Sequence, residues 1–347
     1  MFESFGFETL TAPQAAVLFG LGLGAVFGAL AQITRFCLRR ALVGEDRRAA
    51  AGVWLTALAV AILGTQTAVA QGWISFADHR FMTADIPVLA IVIGGLLFGA
   101  GMVLTRGCVS RLTVLTGSGN LRALLVLLVF AATAHAALKG VLAPVRTSLG
   151  SVTLPLESAA LPGHPMIWAG LLAVAALAFA LRSGNRPGML ILAAVIGLLV
   201  PLGWVGTGFV LFDDFDPIAM ESLSFTSPAS EALFYTLAST AISPGFGSAL
   251  VGGVVIGALV AALLGGQFQW QSFESPRQTG RYMSGAVMMG LGGVLAGGCT
   301  VGAGLSGVPT LSLAAILALA AIVAGAFAAD RALRPATRKD VAAVPAE

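Results

Sequence analysis

Nine apolar runs separated by short polar breaks divide the chain, at 13–34, 49–71, 86–104, 121–143, 165–181, 187–212, 245–266, 282–297 and 309–329. A helix needs about 20 apolar residues to cross the hydrocarbon of a bilayer, so each run predicts a span. A shorter apolar stretch at 229–242 predicts a half-helix or hairpin arm. The N-terminal "MFESFGFETLTAP" carries two acids and no basic residues, unlike a cleaved signal peptide.

Within this pattern the chain repeats itself. Residues 27–42, "FGALAQITRFCLRRAL", align with 98–113, "FGAGMVLTRGCVSRLT", at an offset of 71. Phe27/Phe98, Thr34/Thr105, Arg35/Arg106, Cys37/Cys108 and Arg40/Arg111 coincide. Residues 289–302, "MGLGGVLAGGCTVG", give a third version that keeps Cys299 and has no arginine; "PLGWVGTGFVLFDDFDP" is a weaker fourth without cysteine. Each unit reads as span, irregular loop, span. Two units precede the run at 165–181 and two follow it, so this single crossing inverts the second pair relative to the first, an arrangement found in many transporters. The expected fold is an all-α polytopic membrane protein of about nine transmembrane helices, with re-entrant loops or half-helices in inverted repeats. It forms one transport domain over 1–330, with halves of about 13–143 and 187–330, and a short tail at 331–347.

Composition agrees with a bilayer environment: 57% of residues are hydrophobic and 10% charged, against about 25% charged in soluble domains. The net charge of +3 is too small to point to nucleic acid. Its distribution carries more. With the N-terminus outside, sixteen of the 19 Lys and Arg fall inside, leaving Arg80, Lys139 and Arg146. The positive-inside rule then predicts an outside N-terminus and an inside C-terminus. Glycine is abundant, 44 of 347, which in membranes serves close helix packing or irregular backbone.

The three cysteines form no CxxC pair and histidine is scarce, which argues against a disulfide framework or a zinc site. No metal and no cofactor is expected. The recurring thiols suit a different chemistry. An S–H group is a weak donor and a soft, polarizable contact, matched to an anion whose charge sits on sulfur or selenium. A thiolate would repel such an anion, so the thiols are expected to stay protonated. The expected substrate path comprises Cys37, Cys108 and Cys299, with Arg35, Arg106 and Arg111 beside them. Gly107, Gly298, Thr300 and Ser306 belong to it as parts of Gly-rich loops whose backbone N–H groups form nests. Glu221 and Ser227 join it from the polar block "DDFDPIAMESLSFTSP" (213–228), where Glu221 pairs an arginine or gates the path. His79 and His164 read as solvent-exposed loop residues, and the acids of 213–216 as a solvated loop.

The ordered set of these motifs resembles the YeeE/YedE family of sulfur-transport proteins: the repeated Arg-x-Cys-x-x-Arg loops, then "GWVGTG…DDFDP…ESLSFTSP", then "GGCTVGAGLSG". The resemblance runs over about residues 13–330. It implies an hourglass-shaped path, thiosulfate uptake across the bacterial inner membrane, and relay of thiosulfate by S–H···S contacts along Cys37, Cys108 and Cys299. It also implies a separate small TusA-like sulfur-carrier protein as partner, since the residues after 330 are too few for a fused one. Related transport readings are sulfide or a selenium anion. A membrane thiol oxidoreductase or sulfurtransferase using Cys108 and Cys299 would need a redox pair, cofactor motif or activating base; the sequence has no CxxC, haem motif or nucleotide loop. A structural subunit leaves the repeated thiols unexplained.

Overall fold

Thr11 opens the first helix with a capping box: its hydroxyl accepts from the Gln14 N–H while the Gln14 side-chain oxygen accepts from the Thr11 N–H. The computed structural model describes residues 10–341 apart from 157 and 214, with side chains as far as 333. Asp214 of the acidic block and the tail from 342 lie outside the described residues, as do the side chains of Arg334, Arg338 and Lys339.

The repeat seen in the sequence is a repeat in structure. In the first unit α1 (Ala12–Thr34) ends at Arg35, in the left-handed backbone region; Cys37 then starts the half-helix α2 (Leu38–Val43), and α3 (Arg47–Ala70) returns. The second unit runs α4 (Val88–Leu104), left-handed Arg106, Cys108, half-helix α5 (Val109–Gly117) and α6 (Leu121–Lys139). A short α7 (Ala143–Gly150) and an antiparallel pairing of β1 (Asp85–Ile86) with β2 (Leu154–Pro155) lie before α8 (Pro165–Leu181).

The third unit is α9 (Pro187–Val205), a π-helical turn at 206–210, a polar loop, the half-helix α10 (Thr226–Leu237) and α11 (Phe246–Leu264). The fourth is α12 (Pro276–Leu295), left-handed Gly297, Cys299, a π-helical segment Thr300–Gly307 and α13 (Leu313–Val341). This is an all-α polytopic membrane protein. Among the described residues eight helical segments are long and apolar enough to cross a bilayer; the 17-residue α8 is the shorter ninth. The half-helix expected at 229–242 is α10. Some boundaries move: α9 gives way to the π-helical turn after Val205, α13 runs on to Val341 past 329, and α12 begins at Pro276 and not 282, because Ser275 caps it and its first turns are polar, which hides them from an apolar count.

The units interlock pairwise. In the first and third, α1 packs on α11 and α3 on α9; in the second and fourth, α4 packs on α13 and α6 on α12. First helix meets last in each pair, a two-fold pattern of packing. Lipid tails are as apolar as leucine, so helices here associate by close packing. Along α1 and α11, a Cβ added to Gly24, Gly28, Gly253 or Gly257 would overlap a backbone carbonyl of the facing helix. Gly99 and Gly325 serve the α4–α13 crossing in the same way.

Candidate functional site

Each unit starts its half-helix at an equivalent residue: Cys37, Cys108, Phe225 and Cys299. A half-helix begins with free N–H groups and the positive end of its dipole. At Cys299 the Gly302 N–H donates to Sγ at 3.3 Å. The N–H groups of Arg40 and Arg111, also three residues on, face the sulfurs of Cys37 and Cys108. The chain therefore places one thiol at the head of three of its four half-helices.

The three buried thiols act on one another. Cys108 Sγ lies 3.3 Å from the Ser110 hydroxyl, and it interacts with Cys37 and with the side chain of Thr300, next in sequence to Cys299. Burial tightens along the series: Cys37 is 7% exposed, Cys108 1% and Cys299 0%. On either side lies a cavity. One, of about 1380 Å³, opens among the loops 72–84, 158–161 and 218–224 and reaches Gly302, Ser306 and Thr310. The other, of about 510 Å³, is lined by Arg39, Arg40, Arg106 and Arg281 with Glu45, Asp46 and Asp330. We call these the loop-face and basic-face cavities. The first borders Cys299 through Gly302, and the second borders the Cys37 and Cys108 loops through Arg39, Arg40 and Arg106.

Comparison with known families places the chain. Residues 33–328 match the family model described as sulphur transport. The chain belongs to that family. Among curated relatives, it is 25% identical over 321 residues to the thiosulfate transporter TsuA of Escherichia coli (strain K12), covering 83% of this chain and 86% of the relative. It is 26% identical over 342 residues to the TsuA of Spirochaeta thermophila, covering 86% and 93%. The protein is thus a multi-pass membrane transporter of the sulphur transport family and not an enzyme.

The structure sorts the remaining candidates of this transporter. Arg111 lies beside the Cys37–Cys108 pair and donates to the Ala31 carbonyl at 3.3 Å and to Gln32 at 3.4 Å. Arg106 lines the basic-face cavity; Arg35 is exposed nearby and acts on Arg111 by charge. Gly298 allows a close approach, since a Cβ there would strike the Ala303 N, whereas Gly107 has room. Ser306 does not offer a free proton: its hydroxyl donates to the Leu223 carbonyl at 2.7 Å, tying the fourth unit to the polar loop. Ser227 and Glu221 line the loop-face cavity. The hydroxyl of Thr207, in the π-helical turn, fixes Glu221 by accepting its N–H at 2.9 Å. Burial, then the neighbouring Glu231, pushes the Glu221 carboxyl up to about 7, with Arg80 opposing.

Two residues depart from expectation. His79 is not a solvent-exposed loop residue: it is half-buried, edge-on to Trp204 with centroids 5.1 Å apart and close to Phe76 and Phe81. Arg80, read in the sequence as one of three stray cations, lines the loop-face cavity and is coupled by charge to Glu221, Cys299 and Glu231. Its signal was its exception to the charge bias. His164 is exposed, capping α8.

Arg35 and Arg106 have φ of 53° and 59° where the fourth unit has Gly297 at 72°. A side chain in this region costs about 1 kcal/mol. Arg106→Gly is therefore expected to raise stability by about 1 kcal/mol, while Arg106→Ala leaves the backbone strain in place. Thermal unfolding in detergent measures both; an unchanged midpoint for Arg106→Gly would show that the arginine's own contacts offset the strain.

Proposed function

We propose that the protein takes up thiosulfate across the bacterial inner membrane, handing it along Cys299, Cys108 and Cys37 by S–H···S contacts. The observation that supports this reading is that Cys108 interacts with both Cys37 and the Thr300 side chain, next to Cys299, with a cavity bordering each end of the series. Both compared relatives are named thiosulfate transporters, which supports thiosulfate among sulfur anions. The terminal sulfur of thiosulfate is soft and charged, and a neutral thiol donates to it without adding repulsion. Thr300 supplies a hydroxyl between the thiols, and Arg111 supplies charge at their basic side. The substrate leaves through the basic-face cavity, where a separate TusA-like carrier would meet it. Uptake of labelled thiosulfate into proteoliposomes tests the reading; sulfate is expected to compete poorly, and stronger competition by sulfide than by unlabelled thiosulfate would overturn the choice of substrate.

The basic face is assigned to the cytoplasm because Arg39, Arg40, Arg47, Arg48, Arg182, Arg186, Arg277 and Arg281 cluster at one set of helix ends. Reporter fusions after Thr11 and at Glu347 are expected to report opposite sides, outside and inside. Both ends on one side would overturn this orientation and the nine-span count together.

A further inference from the structure

The loop-face cavity poses an electrostatic problem for an anion path. Among the described residues it is lined by Asp78, Glu221 and Glu231, with Arg80 as the cation. A dianion approaching ionised carboxylates is repelled. Two features of the cavity answer this. Arg80 reaches solvent there, its guanidinium carbon 5.1 Å from the Phe81 ring centroid, and its field extends to Cys299, the first thiol on that side. Trp204 lines the same cavity at 3% exposure, and its indole N–H is buried with no hydrogen-bond partner. A buried orphan donor calls for an acceptor, and indole can only donate.

We propose that Arg80 and the Trp204 N–H form a capture site for the sulfur oxyanion on the loop face, and that the Glu221 carboxylate competes with the anion for Arg80. The proposal rests on the anion-transport reading above. The groups around Glu221 leave it as the group that sets the competition. Glu231, on α10, answers first to Lys139 of α6 among its charged neighbours, and then to Arg80. His79, on the turn that carries Arg80, is pushed down to about 4 by burial and by Arg80, so it is neutral around neutrality. Asp78 lies at the cavity rim, exposed. The Glu221 carboxyl is raised, so it is neutral below about pH 7 and charged above. Capture is therefore strong on the acid side and weakens as pH on the loop face rises through that value, with thiosulfate itself unchanged in charge.

The test is initial-rate thiosulfate uptake into proteoliposomes against concentration, at about pH 6 and about pH 8 on the loop face. For wild type, KM is expected to rise about tenfold between the two, following the loss of neutral Glu221, with the maximal rate little changed. Glu221→Gln should hold the low KM at both pH values. Arg80→Gln should raise KM at both, and adding Glu221→Gln to it should change nothing further; Arg80→Lys should recover part of the affinity. Trp204→Phe, which keeps the ring and removes the donor, should raise KM several-fold. A wild-type KM flat with pH, or a normal KM in Arg80→Gln, overturns the capture site while leaving transport intact. Wild-type vesicles that take up no thiosulfate at either pH overturn the proposed function, and this inference with it.

Discussion

Cys108→Ala is expected to abolish thiosulfate uptake, or to lower it at least about a hundredfold, while the protein stays folded in detergent. Cys108 is the middle of the proposed thiol relay: it interacts with Cys37 and with Thr300. Losing one hydrogen bond to a charged partner costs about 1.5–3 kcal/mol, and 1.4 kcal/mol at the barrier is about tenfold in rate. At this point the loss is compounded, because the anion would face a gap with neither neighbour able to bridge it. Cys299→Ala should behave alike. Cys37→Ala should be milder, since Arg111 and Arg35 stand on its side. Cys108→Ser separates two explanations: it keeps a donor and removes the soft sulfur. A serine variant as inactive as alanine would assign the effect to softness, and one that transports well would assign it to donation alone. Normal uptake in the Cys108→Ala, Cys299→Ala double variant would end the relay.

Gly257→Val is expected to destroy the fold, a loss of more than about 4 kcal/mol. A Cβ at Gly257 would overlap the Ala25 carbonyl, and its neighbour a turn away, Gly253, meets Leu21 in the same way. These atoms are backbone on two long helices, so nothing flexible can yield, and separating α1 from α11 breaks the tie between the first and third units. Gly252 provides the control on the same helix: a Cβ there meets nothing within 4 Å, so Gly252→Ala should be neutral or slightly stabilising, by up to about 1 kcal/mol of helix propensity. Yield and monodispersity after detergent extraction, with thermal unfolding of what survives, measure both. Comparable stability in the two variants would show that the crossing can open without loss.

The spans and the repeat were legible because both are written in single residues. Apolar runs mark the crossings, and Arg-x-Cys-x-x-Arg marks two half-helices at a fixed offset. The fourth unit was faint, since Phe225 stands where the others have cysteine and no residue type announces the turn. What the sequence could not convey is adjacency. An offset of 71 shows that Cys37 and Cys108 are equivalent, but equivalent residues need not be neighbours; their interaction follows from how the units fold together. Arg80 and His79 were opaque for a related reason. They lie in a stretch with no periodicity, and their surroundings come from Trp204 and Glu221, more than a hundred residues away.

The interlocking has a consequence for how the molecule is made. Helices α1, α3, α4 and α6 leave the ribosome before α11, α9, α13 and α12, yet those are the surfaces they pack on. Until the second half is inserted, the glycine-lined faces of the first have only lipid beside them, and a lipid chain cannot fill a groove shaped for a backbone. Assembly of the interlocked units is therefore a late, concerted event, and a chain arrested after α8 would be inserted but unassembled, leaving it a natural target for the quality-control proteases of the membrane.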